Sequence, residues 1–267
     1  RAIARLGGES IATGFLGGVI GKWIDEGVRR EGVRTDFVWV RACTRTSTTV
    51  RCDSEGIETH LVEPGEPVTE IEERALEEKV AELAHEGDVV ILCGSLPPGV
   101  RSDFYRRCVE RVQSKGAIAF VDAGGAILRE TLPAQPRLIN PNEEELATAL
   151  DLEFQSEVEV IGAIEDLLSH GLQCIIVSQG ERGAIGADRT SIWRAVPPPV
   201  RVVNTVGSGD AMLGGLAYAY HQGMSLAEML RWGVAAGTAN VLVDGPCYFD
   251  REDAVEIHKR VRMERIA

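Results

Sequence analysis

The segment richest in chemistry in this 267-residue chain is Asn204-Thr205-Val206-Gly207-Ser208-Gly209-Asp210. A polar strand end runs into Gly-Ser-Gly-Asp and then into a helix poor in large side chains. Small residues let consecutive backbone N–H groups converge, and the start of a helix adds positive potential at the same point. Such a nest suits an anion, in particular a phosphoryl group in transfer. A carboxylate inside an anion site is electrostatically costly. Asp210 acting as general base toward an attacking hydroxyl would be a reason for its presence. Taken alone, the same residues also describe a helix N-cap behind a glycine-rich turn.

Three further segments carry candidate groups. In Asn142-Glu143-Glu144-Glu145, Asn142 and Glu145 lie three apart on one helical face and could meet a hydrated Mg²⁺. The same spacing makes Asn142 a cap and Glu145 its partner, and in isolation that is the stronger expectation. Ser178-Gln179-Gly180-Glu181-Arg182-Gly183 follows an apolar run, and its glycines would let backbone approach nucleotide phosphates at a sheet edge. Gly94-Ser95 follows another apolar run at the same expected edge, before Leu96-Pro97-Pro98-Gly99. Two patterns are set aside. Gly17-Gly18-Val19-Ile20-Gly21-Lys22 is too short for a P-loop and has Trp23 where a hydroxyl is required. Neither Ser95 nor Ser208 sits in a G-x-S-x-G elbow.

The elements needed to hold these groups follow an alternating strand–helix rhythm, expected of a mainly parallel sheet covered by helices. Strands are predicted over Ser10–Phe15, Asp88–Cys93, Ala117–Asp122, Arg137–Ile139 and Gln173–Ser178, with a hairpin-like pair over Gly183–Ala187 and Ser191–Ala195. Helices are predicted over Gly18–Glu31, Ile71–His85, Ser102–Ser114, from Asn142, over Val158–Ser169, Gly209–His221, Ser225–Leu242 and Arg251–Arg262. Asp36–Ala42, Thr46–Asp53 and Gly56–Val62 break the rhythm. They are three β-rich runs without helices between them, the last two joined by a turn at Asp53-Ser54-Glu55-Gly56. They are expected to form a small sheet projecting from the body, so residues 36–62 are an insert in a core of residues 1–35 and 63–267.

Composition narrows the function classes. With 28 Lys+Arg against 41 Asp+Glu the net charge is −13, which argues against general nucleic-acid binding. No run is long and apolar enough for a membrane span. Six scattered cysteines without a C-x-x-C pair are expected as reduced, mostly buried thiols of a cytoplasmic protein rather than zinc ligands. Arg1 to Gly8 reads like a helix C-terminus closed by glycines, so the natural start is expected to lie upstream.

Together these motifs resemble the ribokinase-like (PfkB-type) carbohydrate kinases, most closely the 1-phosphofructokinase and tagatose-6-phosphate kinase branch. The run Asn204 to Ala217 fits that family's C-terminal signature, and Gly94-Ser95, Asn142-x-x-Glu145 and Ser178-x-Gly180-x-x-Gly183 occur in order. The resemblance implies a three-layer α/β/α fold with a projecting β lid that often mediates dimerisation. It implies Asp210 as catalytic base and Gly207, Ser208 and Gly209 as the anion hole. Ser178, Gly180 and Gly183 would bind ATP, with Asn142 and Glu145 organising Mg²⁺ through water. Arg45 and Ser95 would contact the phosphate of a sugar phosphate, a task suited to a guanidinium that is always charged and can bind two oxygens. The family's glycine-rich sugar motif and an earlier aspartate-bearing strand would precede Arg1. Asn140 stands where close relatives often have lysine, which removes a positive charge near the phosphates. The implied activity is ATP-dependent phosphorylation of a ketohexose phosphate. A kinase for an unphosphorylated sugar or nucleoside, and a binding protein without catalysis, are the alternatives.

Overall fold

The computed structural model describes residues 1–52 and 57–267. The turn expected at 53–56 lies outside the described residues. The chain opens with helix Ala2–Arg5 (α1), strands Ile11–Ala12 (β1) and Phe15–Leu16 (β2), and helix Gly18–Arg30 (α2). Strands Arg34–Thr35 (β3), Val38–Trp39 (β4), Ser47–Cys52 (β5) and Ile57–Val62 (β6) follow. Next come helix Glu70–Leu83 (α3), strand Val89–Cys93 (β7), helix Phe104–Ser114 (α4) and strand Ile118–Asp122 (β8). Helix Gly125–Thr131 (α5), strand Leu138–Ile139 (β9), and helices Glu143–Leu150 (α6) and Glu157–Ser169 (α7) complete the middle of the chain. The remainder is Cys174–Ser178 (β10), Ala184–Asp188 (β11), Ser191–Val196 (β12), helices Ser208–His221 (α8), Leu226–Asn240 (α9) and Arg251–Arg260 (α10), and strand Arg262–Arg265 (β13).

The main sheet has the order β13-β12-β11-β10-β9-β8-β7. From β7 to β10 the neighbours run parallel, and from β10 to β13 they are antiparallel. Successive side chains on a strand point to opposite faces, and here both faces are buried. On β8, Ala119 and Val121 join one core while Phe120 joins the other; on β10, Ile175 and Val177 oppose Cys174 and Ile176. Helices α3 to α7 cover the first face, and α1 with α8 to α10 cover the second. The result is the three-layer α/β/α sandwich that the alternating pattern implies.

Small residues on α8 are explained by its neighbours. A Cβ at Gly214 would lie 2.5 Å from that of Ala2, and one at Gly215 would lie 2.6 Å from the carbonyl oxygen of Trp232. The helix is wedged between α1 and α9 with no room for longer side chains.

Several expectations need correction. The single strand over Ser10–Phe15 is two short ones, because β1 pairs with β3 and β2 with β4. Between them, the Thr13 hydroxyl donates to the carbonyl oxygen of Asp36 at 2.7 Å. The strand expected over Asp36–Ala42 contracts to β4. It therefore joins β2, and only β5 and β6 pair with each other in the insert. Helix α5 went unread. The last helix stops at Arg260 rather than Arg262, and Arg262–Arg265 instead extends the sheet beside β12.

Candidate active site

The chemistry-bearing residues collect where the parallel strands end and α8 begins. Gly207 caps α8 in a left-handed conformation (φ 80°), and a Cβ there would also stand 2.5 Å from Cβ of Pro246. Both constraints select glycine. A Cβ at Gly209 would meet nothing within 4 Å, so the backbone faces open space. First-turn amides have no carbonyl four residues back within their own helix. Of the three candidates here, the Ser208 amide already donates to the carbonyl oxygen of Thr205 at 3.2 Å.

The loop is braced from behind. The Ser208 hydroxyl donates to the carbonyl oxygen of Thr205 at 2.8 Å, and the Val206 amide donates to Oδ1 of Asn204 at 2.9 Å. Fully buried Asn240, at the end of α9, donates from Nδ2 to the Val206 carbonyl oxygen at 2.9 Å. Sequence reasoning missed Asn240, which no local motif marks.

Asp210 lies in the first turn of α8, open to solvent in the cleft. Desolvation by the surrounding protein nevertheless raises its carboxyl above the ordinary value. Two titratable groups feel its charge. Asp122, the last residue of β8, is pushed to about 7, first by desolvation and then by the charges of Glu145 and Asp210. Asp122 was also missed, although an aspartate closing an apolar run at the expected sheet edge was a usable signal. At the end of β7, desolvation followed by the charges of Asp210 and Asp122 takes the Cys93 thiol to about 12.

Asn142 and Glu145 form a capping box at the start of α6. Asn142 Oδ1 accepts from the Glu145 amide at 2.8 Å, and Glu145 Oε2 accepts from the Asn142 amide at 2.9 Å. The capping expectation therefore holds, and Glu145 still exerts its charge on Asp122. Ser178 is tied to the same loop, its amide donating to the carbonyl oxygen of Pro141 at 3.0 Å. Gln179 Nε2 donates to Glu143 Oε1 at 2.9 Å, and Arg182 pairs with the other oxygen of Glu143. The glycines of this turn differ in purpose. Gly180 (φ 60°) faces open space, whereas a Cβ at Gly183 would lie 2.0 Å from the carbonyl oxygen of Ala195.

The lid side is reached through Arg45, whose Nη2 donates to the Ser95 hydroxyl oxygen at 2.9 Å. Tyr105 fixes the turn before Ser95, donating to the carbonyl oxygens of Cys93 at 2.6 Å and Gly94 at 3.0 Å. The Gly17 amide donates to Oγ1 of Thr44 at 2.9 Å, and a Cβ at Gly17 would stand 1.8 Å from the carbonyl oxygen of Ala42. The glycine pair that superficially suggests a P-loop thus seats the lid base. No hydrogen bond among the described residues joins the Arg45–Ser95 pair to Asp210.

For a bound cation, the donor chemistry suits a hydrated hard ion. Asp122 and Glu145 supply carboxylate oxygens. Asn140 is 2% exposed, and its Oδ1 is buried without a hydrogen-bond partner, an arrangement that a water or ion would satisfy. Among the described residues no cluster of three or more His, Cys, Asp or Glu side chains could hold an ion.

This sheet, parallel over one half and antiparallel over the other, with helices on both faces, is the frame of a ribokinase-like fold. Residues 1–253 match the pfkB family carbohydrate kinase description, and the chain belongs to that family of ATP-dependent carbohydrate kinases. It is 34% identical to the ATP-dependent 6-phosphofructokinase isozyme 2 of Escherichia coli, covering 97% of this chain and 84% of that enzyme. It is 32% identical to a 1-phosphofructokinase of Borreliella burgdorferi, covering 99% of this chain and 84% of that one. The crystal structure of Escherichia coli phosphofructokinase-2 in complex with potassium superposes with a TM-score of 0.92 at 33% identity, covering 97% and 84% of the two chains. Among the described residues no helix is long and apolar enough to cross a membrane.

Proposed function

We propose that the protein transfers the γ-phosphoryl group of ATP to a hydroxyl of a ketohexose phosphate: fructose 1-phosphate, fructose 6-phosphate or tagatose 6-phosphate. The carrying observation is the Arg45–Ser95 contact at 2.9 Å. Two groups that the family resemblance assigns to a sugar's phosphate meet there, one from the β-rich insert and one from the sheet edge. A free sugar gives a guanidinium at that point no charge to bind. The names of the relatives, 6-phosphofructokinase, 1-phosphofructokinase and tagatose-6-phosphate kinase, support the same substrate class.

In this reading Asp210 accepts the proton of the attacking hydroxyl, and its raised pKa brings it closer to that task at neutral pH. The amides at Gly207, Ser208 and Gly209 stabilise charge developing on the transferred group. Ser178, Gly180 and Gly183 seat the nucleotide phosphates, with Asn142 and Glu145 beside them. Mg²⁺, held through water by Glu145 and Asn142, would supply charge neutralisation on the phosphates. The lid pairs two copies of the chain in a homodimer. Val50, Leu61 and Val62, large apolar side chains exposed on β5 and β6, support that part of the reading.

A coupled ADP-release assay tests the proposal, using ATP, the three ketohexose phosphates, the free ketohexoses and a nucleoside. Turnover is expected on a phosphorylated sugar. Turnover on a free sugar or nucleoside alone would overturn the substrate class, and nucleotide binding without turnover on any acceptor would overturn the catalytic reading.

A further inference from the structure

A cavity of about 350 Å³ opens at the edge of the main sheet opposite Asp210. Its lining includes Leu138 and Cys174, the first residues of parallel strands β9 and β10, whereas the candidate catalytic groups follow the last residues of such strands. Tyr220, near the far end of α8, also lines it. At 1.5 Å per residue, it stands about 15 Å along the helix from Asp210. The volume falls within the range of small-molecule sites, roughly 300–1,000 Å³.

Two opposite charges reach this cavity, and neither has an ion-pair partner among the described residues. Arg137 precedes β9. Its Nη1 donates to Gln173, its guanidinium lies over the Tyr220 ring at 5.6 Å, and its Nε is buried with no hydrogen-bond partner. Asp188 ends β11, in register with Cys174. Burial opposes its ionisation, but hydrogen bonds from Thr190 and Ser191 outweigh that and hold the carboxyl below its ordinary value. Those bonds all reach Oδ1. The accessible apolar wall is Met224 and Leu226, with buried Phe120, Leu138 and Met229 behind it.

A simple anion would bind Arg137 in the presence of Asp188, and a simple cation would face the converse. A ligand carrying both charges satisfies both groups, and an apolar body fills the rest. We propose that this cavity binds a small zwitterion with an apolar body, of the class of free apolar α-amino acids. The carboxylate meets Arg137, the ammonium meets Asp188, and the side chain lies against Met224 and Leu226. The site is independent of the sugar assignment.

Calorimetry on the whole protein tests this with L-phenylalanine and L-leucine as probes. Their single-charge analogues serve as controls: 3-phenylpropionate and 2-phenylethylamine, 4-methylpentanoate and 3-methylbutylamine. At least one amino acid is expected to bind, with both of its analogues about tenfold weaker or worse, since each loses a charge-assisted contact. Arg137→Gln and, separately, the cavity-filling Met224→Trp should each weaken binding by about tenfold or more while kinase turnover is retained. Absence of binding by both amino acids at millimolar concentration would overturn the proposal. So would equal binding of a single-charge analogue, or unchanged binding in both variants. The comparison of ligands on the unaltered protein holds even if a variant fails to fold.

Discussion

Asn240 donates from Nδ2 to the Ser208 hydroxyl oxygen at 3.2 Å, tying the end of α9 to the first residue of α8. Its Oδ1 accepts from the Cys247 amide at 2.6 Å, so one buried amide joins the loop over residues 206–208 to the segment at Cys247. Asn240→Leu should destabilise the protein by at least about 1–3 kcal/mol, because it strands a buried donor and acceptor. Turnover should fall as well, since the loop loses its brace. Urea titration and steady-state kinetics check this, and unchanged values in both would show the contact to be dispensable.

Asp210→Asn removes the base without touching the backbone donors around it. Turnover should drop by a factor of ~10² to 10⁴, with nucleotide affinity nearly unchanged by calorimetry. Near-normal turnover would remove Asp210 from the chemistry.

Arg45→Ala should reduce kcat/KM for a ketohexose phosphate about tenfold or more, corresponding to loss of a charge-assisted contact of ~1.5 to 3 kcal/mol. Activity on the free sugar, however low, should hardly change. Equal losses on both substrates would mean that Arg45 supports the lid and does not read the phosphate.

Asp122 makes stability depend on pH. Its folded-state pKa of about 7 lies above the ordinary aspartate value of 3.8, so the folded chain binds this proton more tightly than the unfolded one. Stability from this group is therefore fully present below the lower value and is lost as pH rises through the upper one. Asp122→Asn should stabilise the protein at pH 8, by an amount on the order of a few kcal/mol, and the gain should vanish near pH 4. Denaturation midpoints across this range read the effect. A gain that is the same at both ends would rule out titration as its source.

Between α3 and α4, Glu73 and Glu77 are 1% and 5% exposed. Arg107 pairs with both, its Nε lying 2.9 Å from Glu77 Oε2, and it also pairs with Asp103. Arg107→Met removes the shared cation but leaves Glu73 with Arg101 and Glu77 with Arg111. The cost should therefore fall below the ~3–5 kcal/mol of an uncompensated buried charge, at about 1–3 kcal/mol. A shift in the urea midpoint of that size is expected. The double replacement of Glu73 and Glu77 by Gln should recover part of it.

Local chemistry made much of this legible. Gly207 to Asp210, the Asn142 cap and the strand over Gln173–Ser178 could be placed because caps, glycine turns and apolar runs act over a few residues. The features that escaped depend on partners far away in the chain. Strand β13 follows α10 without a break in composition and is a strand because β12 offers an open edge. Helix α5 begins at Gly124 with no side-chain cap to announce it. The break between β1 and β2 arises from pairing with β3 and β4. Asn240 and Asp122 matter through what surrounds them. The motif glycines were legible as glycines but not in their reasons: Gly183 avoids Ala195, while Gly209 leaves space for a ligand.

The wedged packing of α8 has a bearing on redesign. Any side chain longer than hydrogen at Gly214 or Gly215 would collide with Ala2 or with the Trp232 carbonyl oxygen, so a neighbouring helix would have to shift. The lid strands, by contrast, expose Val50, Leu61 and Val62 to solvent. In the proposed reading, reactivity and selectivity sit on parts of the chain with opposite tolerance for change. A library aimed at a new acceptor belongs in Arg45 and the lid strands, with the helix that carries Asp210 held fixed.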